Sequence, residues 1–242
     1  MDRLDRLSTL VSHLEVRLAP VDDGAAANLS VSRRALVWST EASDHLPTGR
    51  RALVDLGPAS EPLRQALPAR MVADLAEAPS LAALAALLTE ELSTPRCGGR
   101  FALDRLGELV VVAMLRAEIE RGETAPGPLA GLAHPGLSRA IVALHDAPGR
   151  DWRVEDLAGL AAMSRSHFIA EFHRVVGQPP MAYAKSWRMT LARNAVLAGE
   201  RSSAIARRLG YSGGDAFARA FARTYGCSPS ALRAAEGQRA AS

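Results

Sequence analysis

Residues 157–180 read LAGLAAMSRSHFIAEFHRVVGQPP, and residues 205–229 read IARRLGYSGGDAFARAFARTYGCSP. The two strings are one pattern written twice. Leu157-Ala158 or Ile205-Ala206 leads through Ala162-Met163-Ser164 or Gly210-Tyr211-Ser212 to two phenylalanines four apart, Phe168 and Phe172 or Phe217 and Phe221. Gly177 and Pro180, or Gly226 and Pro229, close each copy. The offset is 48 residues before the turn and 49 after it.

Each copy describes the same physical object. Ala158 or Ala206 is small where a second helix must approach closely, and Ala162 or Gly210 permits a tight turn four residues later. Ser164 or Ser212 then stands where a hydroxyl can cap the next helix. Phenylalanines at i and i+4 share one helical face and fill the wedge between the two helices. The glycine ends the second helix and the proline three residues on stops it from continuing.

The pattern is that of a helix-turn-helix, whose second helix enters a DNA major groove. A single copy would equally describe a generic helical hairpin; two in register favour DNA. The segment 180–197 between the copies is expected to be a helix about 27 Å long at 1.5 Å per residue. That is slightly less than the roughly 34 Å repeat of B-DNA, so two recognition helices could meet successive major-groove segments on one face, with bending.

Charge agrees once it is divided. The 242 residues hold 29 Lys and Arg against 26 Asp and Glu, a net +3 that by itself points to no polyanionic partner. From Ser138 onward there are 15 basic and 8 acidic residues, whereas residues 1–137 carry 14 and 18. The positive charge that a phosphate backbone attracts is concentrated in the segment with the repeat. A hydrophobic fraction of 48% with 23% charged residues is ordinary for globular chains. Two cysteines build no disulfide framework, and no apolar run of eighteen residues or signal peptide is present, so a cytoplasmic protein without membrane contact is expected.

The first half reads differently. HLEVRLAPV, ANLSVS, RALVWST and RALVDLG, between about residues 13 and 57, alternate or branch as short strands do, with turn residues between them. PSLAALAALLTEEL, from Pro79, and the run from Phe101 to Arg121 have helical spacing on either side of Cys97-Gly98-Gly99. GETAPGPLAGLAHPG, residues 122–136, reads as a connector. The expected organisation is a small β-rich region over 1–78 and a helical hairpin over 79–121 that mediates dimerisation. A linker over 122–137 follows, then an all-α domain over 138–236 with helix-turn-helix units at 157–177 and 205–226. The fold class is α+β followed by all-α.

The segments VEDLAGLAAMSRSHFIAEFHRVVGQPPMAYAKSWRM and SSAIARRLGYSGGDAFARAFARTYGCSPSALR resemble the DNA-binding domain of the AraC/XylS family of bacterial transcription regulators. The likeness covers about a hundred residues, Ser138 to about Ala235. It implies a sequence-specific regulator that binds double-stranded promoter DNA, with a second copy of the chain and RNA polymerase as candidate partners. It implies that the first recognition helix presents Ser166, Ile169 and Ala170 to bases, with Arg165 and His167 nearer phosphates; Arg165, Arg174, Arg207, Arg208 and Arg223 are expected to supply most of the phosphate contacts. In the second, Gly214, Asp215, Ala218, Arg219 and Arg223 take the corresponding face. Arg219 is the strongest candidate for base readout, since a guanidinium can pair bidentately with guanine. Asp215 is expected to act chiefly at the helix N-terminus, with cytosine readout as the alternative. RALVDLGPASEPLRQALPARMV, the hairpin and the Cys-Gly-Gly loop are similar to the end of cupin-like sensor domains, here shortened and without the His and Glu metal motif of true cupins.

Nothing in the chain assembles catalysis. His167 and His173 are six apart and do not share a helical face, and His167 with Glu171 is expected as a surface pair. His134 and His145 have no ligand partners at metal spacing, and no phosphate-binding glycine motif occurs. Neither metal, cofactor nor enzymatic activity is therefore expected. Cys97, between Arg96 and Arg100, is a candidate redox thiol because neighbouring cations favour the thiolate. A redox- or ligand-responsive regulator, sensing through Cys97 or an N-terminal pocket with an unidentified small-molecule effector, is the alternative. A helical interaction module would instead bury the faces of 165–176 and 214–225.

Overall fold

The computed structural model describes residues 7–11, 14–22, 24–57, 67–94, 96–122 and 126–240. His13, residues 58–66 of the cupin-like stretch, Pro95 and 123–125 of the expected connector lie outside them. Two compact units result: Leu14–Ala133, and Met1–His13 together with His134–Ser242.

The first unit is built on strands β1 (Arg17–Pro20), β2 (Ala27–Val31), β3 (Ala35–Ser43), β4 (Arg50–Asp55) and β5 (Arg70–Asp74). They form one antiparallel sheet in the order β1-β4-β2-β3-β5. The four stretches expected as strands supply β1 to β4. β5 is an addition to that expectation: only Met71, Val72 and Ala73 lie between its charged ends, too short an apolar run for its period to declare itself. It nevertheless alternates, with Met71 and Ala73 buried and Val72 exposed. Central β2 is buried throughout. Next to the last residue of its ladder with β4, the buried Asn28 side chain continues the pairing with that strand. Its Nδ2 donates to the Val54 carbonyl at 2.8 Å and its Oδ1 accepts from the Val54 N–H at 2.7 Å.

Helices α2 (Pro79–Ser93) and α3 (Gly99–Arg121) form the expected hairpin. α2 packs on β2 and β4, and α3 on β1 and β5. Gly107 allows α3 its close approach, since a Cβ there would stand 3.2 Å from that of Leu18. Part of the expected connector is folded instead: α4 (Pro128–Ala133) buries Leu129 and Leu132 and packs on α3. An apolar Leu-Ala-Gly-Leu core outweighs the turn residues around it.

The second unit begins with α1 (Ser8–Val11), which packs on α5 (Leu137–Asp146). Those residues therefore group with the helices and not with the sheet, contrary to a single 1–78 region. Then follow α6 (Val154–Leu160), α7 (Arg165–Val176), α8 (Pro180–Leu197), α9 (Ser202–Arg208), α10 (Gly214–Tyr225) and α11 (Pro229–Ala240). Phe168, Phe172, Phe217 and Phe221 are completely buried, as the repeat requires. α8 is the spine common to both copies. Near its start Tyr183 meets Phe172 edge-on at 5.7 Å and bonds His145 Nε2 through its hydroxyl at 2.7 Å. Towards its end the Met189 carbonyl accepts from the Tyr225 hydroxyl at 2.9 Å and the Val196 carbonyl from Arg233 at 3.1 Å.

Candidate nucleic-acid interface

The two turns close with the same backbone bonds. The Met163 N–H donates to the Ala158 carbonyl at 2.9 Å, and the Tyr211 N–H to that of Ala206 at 2.8 Å. Ala162 and Gly210 hold the corresponding left-handed positions, φ +55° and +76°. The copies differ at the next step. Ser164 caps α7, its hydroxyl accepting from the His167 N–H at 3.4 Å. In the second copy the N-cap is Gly213, with no side-chain cap, so Ser212 does not take the capping position expected of it. One added residue in that turn is why the offset grows from 48 to 49.

With α7 and α10 aligned at that offset, their free faces correspond. Ser166, Ala170 and Arg174 stand where Asp215, Arg219 and Arg223 stand in the second copy, all exposed. Arg165 and His167 are exposed, and Ile169, Gly214 and Ala218 are half-buried at the margins. His173 is also exposed on the free face of α7, beyond the residues expected there; the 3.6-residue period was its signal. Asp215 occupies the first turn of α10, where a carboxylate favours the positive end of the helix dipole.

The arginines separate into two electrostatic classes. Arg165 meets Glu155 at 2.7 Å, Arg174 grips Glu171 through two bonds of 2.6 and 2.8 Å, and Arg208 lies 3.0 Å from Glu200. Arg207, Arg219 and Arg223 have no carboxylate within ion-pair distance among the described residues. The first helix-turn-helix is thus largely self-neutralised, and the second carries uncompensated charge. The half-buried Tyr211 phenol is raised by burial, opposed by the charges of Arg188 and Arg223.

Glu171 is the most constrained acid of this surface. His134 Nδ1 accepts from the N–H groups of Gly136 and Leu137, both at 3.2 Å, so the ring proton belongs on Nε2, 3.2 Å from Glu171. The expected His167–Glu171 pair is replaced by Arg174 and His134. Arg174's hydrogen bonds, aided by its charge and by His134 and opposed by burial, lower the Glu171 carboxyl from 4.5 to about 2. Because the folded value is depressed, this contribution to stability is complete above 4.5 and is lost as pH falls through about 2. Thermal melts of wild type and Glu171→Gln across that interval should therefore show a shallower acid loss in the variant; parallel curves would remove the assignment.

His145 is structural: it is buried and stacks on Trp187 at 4.1 Å. Among the described residues no group of three or more His, Cys, Asp or Glu could hold a metal, and no helix is long and apolar enough to cross a membrane. Cys97 is exposed and free, but its surroundings are not the cationic ones expected. Arg96 is drawn to Glu90 at 2.9 Å and Glu91 at 2.5 Å, and Arg100 to Asp104 at 3.5 Å.

A helix-turn-helix domain family matches residues 157–235, and a cupin family matches residues 6–120. A Streptomyces lividans protein named as an AraC-like transcription regulator is 37% identical over 148 residues, covering 60% of this chain and 49% of its own. The helix-turn-helix and cupin segments of this chain are thus similar to those of AraC-like transcription regulators. AlkR of Acinetobacter baylyi, an HTH-type transcriptional regulator, is 34% identical over 131 residues, covering 54% of this chain and 43% of that protein. The chain spans about half the length of the curated relatives it matches. The DNA-binding domain of AdpA, solved with a target DNA, is 30% identical with a TM-score of 0.38, and covers 43% of this chain and 95% of that one. The cupin match spans the five-stranded sheet with its helical hairpin.

Proposed function

We propose that this chain is an AraC-type transcription regulator that binds double-stranded promoter DNA through α7 and α10. The observation that carries this reading is the duplicated turn, with two equivalent helices presenting exposed faces on one shared spine. The relatives' names as transcription regulators, and AdpA's complex with DNA, support it. α10 supplies the base-reading arginine, Arg219, and most of the uncompensated charge. Ser166, Ala170 and Ile169 offer few hydrogen bonds, so α7 reads thymine methyls and groove shape.

Binding is tested by gel shift on promoter fragments over a salt series; no retarded species at low salt would overturn it. Arg219→Ala is expected to relax discrimination between best and mismatched sites by about 1–3 kcal/mol, whereas Arg207→Ala weakens all sites alike. Equal, uniform losses from both would count against base readout by Arg219. The α2–α3 hairpin, with Leu87, Phe101 and Leu109 exposed, supports dimerisation through this half.

A further inference from the structure

A cleft of about 1000 Å3 opens in the sheet unit between α2 and the turns that flank β2 and β4. Three of its lining residues are arginines, Arg33, Arg50 and Arg51, and among the described residues no Asp or Glu lines it. This is unexpected where acidic residues outnumber basic ones, 18 to 14 over residues 1–137. On the hairpin, Arg96, Arg100, Arg105 and Arg121 each meet a carboxylate. Among the described residues the cleft arginines meet none. Arg51 is half-buried and donates to the Leu46 carbonyl at 2.9 Å and the Ala25 carbonyl at 3.4 Å. Those neutral acceptors fix the guanidinium in place without cancelling its charge.

The rest of the lining is small: the hydroxyls of Ser32, Thr48 and Thr89 lie among glycines and apolar side chains. Val31 and Leu75 are buried beside it, and Ala82, Ala85 and Ala86 of α2 leave the volume unfilled. A fixed cation, two further guanidinium groups and an apolar wall call for one kind of occupant. We infer that this cleft binds a small organic anion, a carboxylate or phosphate ester whose charged head lies against Arg33, Arg50 and Arg51 and whose apolar body lies along α2. Guanidinium groups pair such oxyanions bidentately, and the volume is within the range of small-molecule sites. The site belongs to the sheet unit and stands whether or not the helical unit binds DNA.

Calorimetric titration of the full chain with octanoate, octyl phosphate, octylamine and inorganic phosphate, all below micellar concentration, tests this. Saturable binding of octanoate or octyl phosphate is expected, and which of the two binds more tightly identifies the head group. Octylamine should not bind, and inorganic phosphate, lacking the apolar body, should bind at least about tenfold more weakly. Arg33→Gln with Arg50→Gln changes two exposed side chains and should leave the melting temperature of the unliganded chain intact while weakening the anion about tenfold or more. Ala86→Phe, exposed on α2, should weaken it by filling the cleft. Absence of saturable binding by either anion, equal binding of octylamine, or wild-type binding in both variants would overturn the proposal.

Discussion

Gly210→Ala is expected to destabilise the helical unit by about 2–5 kcal/mol, because two costs add. The first is conformational: at φ +76° an L side chain is strained by about 1–2 kcal/mol. The second is steric and of similar size, about 1–3 kcal/mol for overpacking. A Cβ on Gly210 would be driven into the Gly149 carbonyl, and one on Gly149 into the Arg208 carbonyl. These atoms are backbone and cannot swing aside. The contact matters because Gly149 lies in the loop between α5 and α6, so it ties the start of the first helix-turn-helix to the turn of the second. Ala162 provides the internal control. It holds the same turn position at φ +55° but is exposed, so Ala162→Gly should relieve strain and stabilise the unit by about 0.5–1 kcal/mol after the added entropy of glycine. Urea unfolding of the three proteins measures both signs. A Gly210→Ala loss no larger than about 0.5 kcal/mol, the ordinary scatter of surface changes, would mean that the glycine pair is not a fixed contact.

The helical unit was readable because its devices are local. Left-handed glycines, phenylalanines four apart and a closing proline each act within a turn or two of helix, so position in the chain fixes position in space. Ser212 misled because a one-residue insertion in a turn leaves all the residue types in place and moves only the cap, to Gly213. The sheet unit was less readable because its pairing is long-range. β4 lies between β1 and β2, and β5 pairs with β3 across about thirty residues of sequence, so neither neighbour is written beside the strand that needs it. Residue types at the candidate interface were legible, but their electrostatic state was not. Arg174 and Arg223 occupy equivalent positions and look alike in sequence. Glu171 lies one helical turn before Arg174, whereas the same position before Arg223 is Ala220.

That difference has a large expected consequence for salt dependence. With six to ten phosphate contacts, affinity for DNA should fall about 10³–10⁵-fold between 50 and 200 mM salt. Each cation that neutralises a phosphate contributes about 0.9 to the slope of log affinity against log salt, because it releases ions condensed on the DNA. An arginine already held by a carboxylate brings no net charge to the phosphate unless the pair breaks, and Arg174, bound twice by Glu171, is the costliest of the set to free. Arg207→Ala and Arg223→Ala should therefore each reduce the slope by about 1, while Arg165→Ala and Arg174→Ala reduce it by less than about half that. Glu155→Gln, which uncovers exposed Arg165 without touching the buried core, should move the slope the other way and tighten binding at low salt. Equal slope changes for all four arginine variants would mean that the ion pairs seen in the free protein dissolve on the DNA, and the two helix-turn-helix units would then share the electrostatic work. Unequal ones assign the phosphate anchor to the second unit and leave the first to read shape.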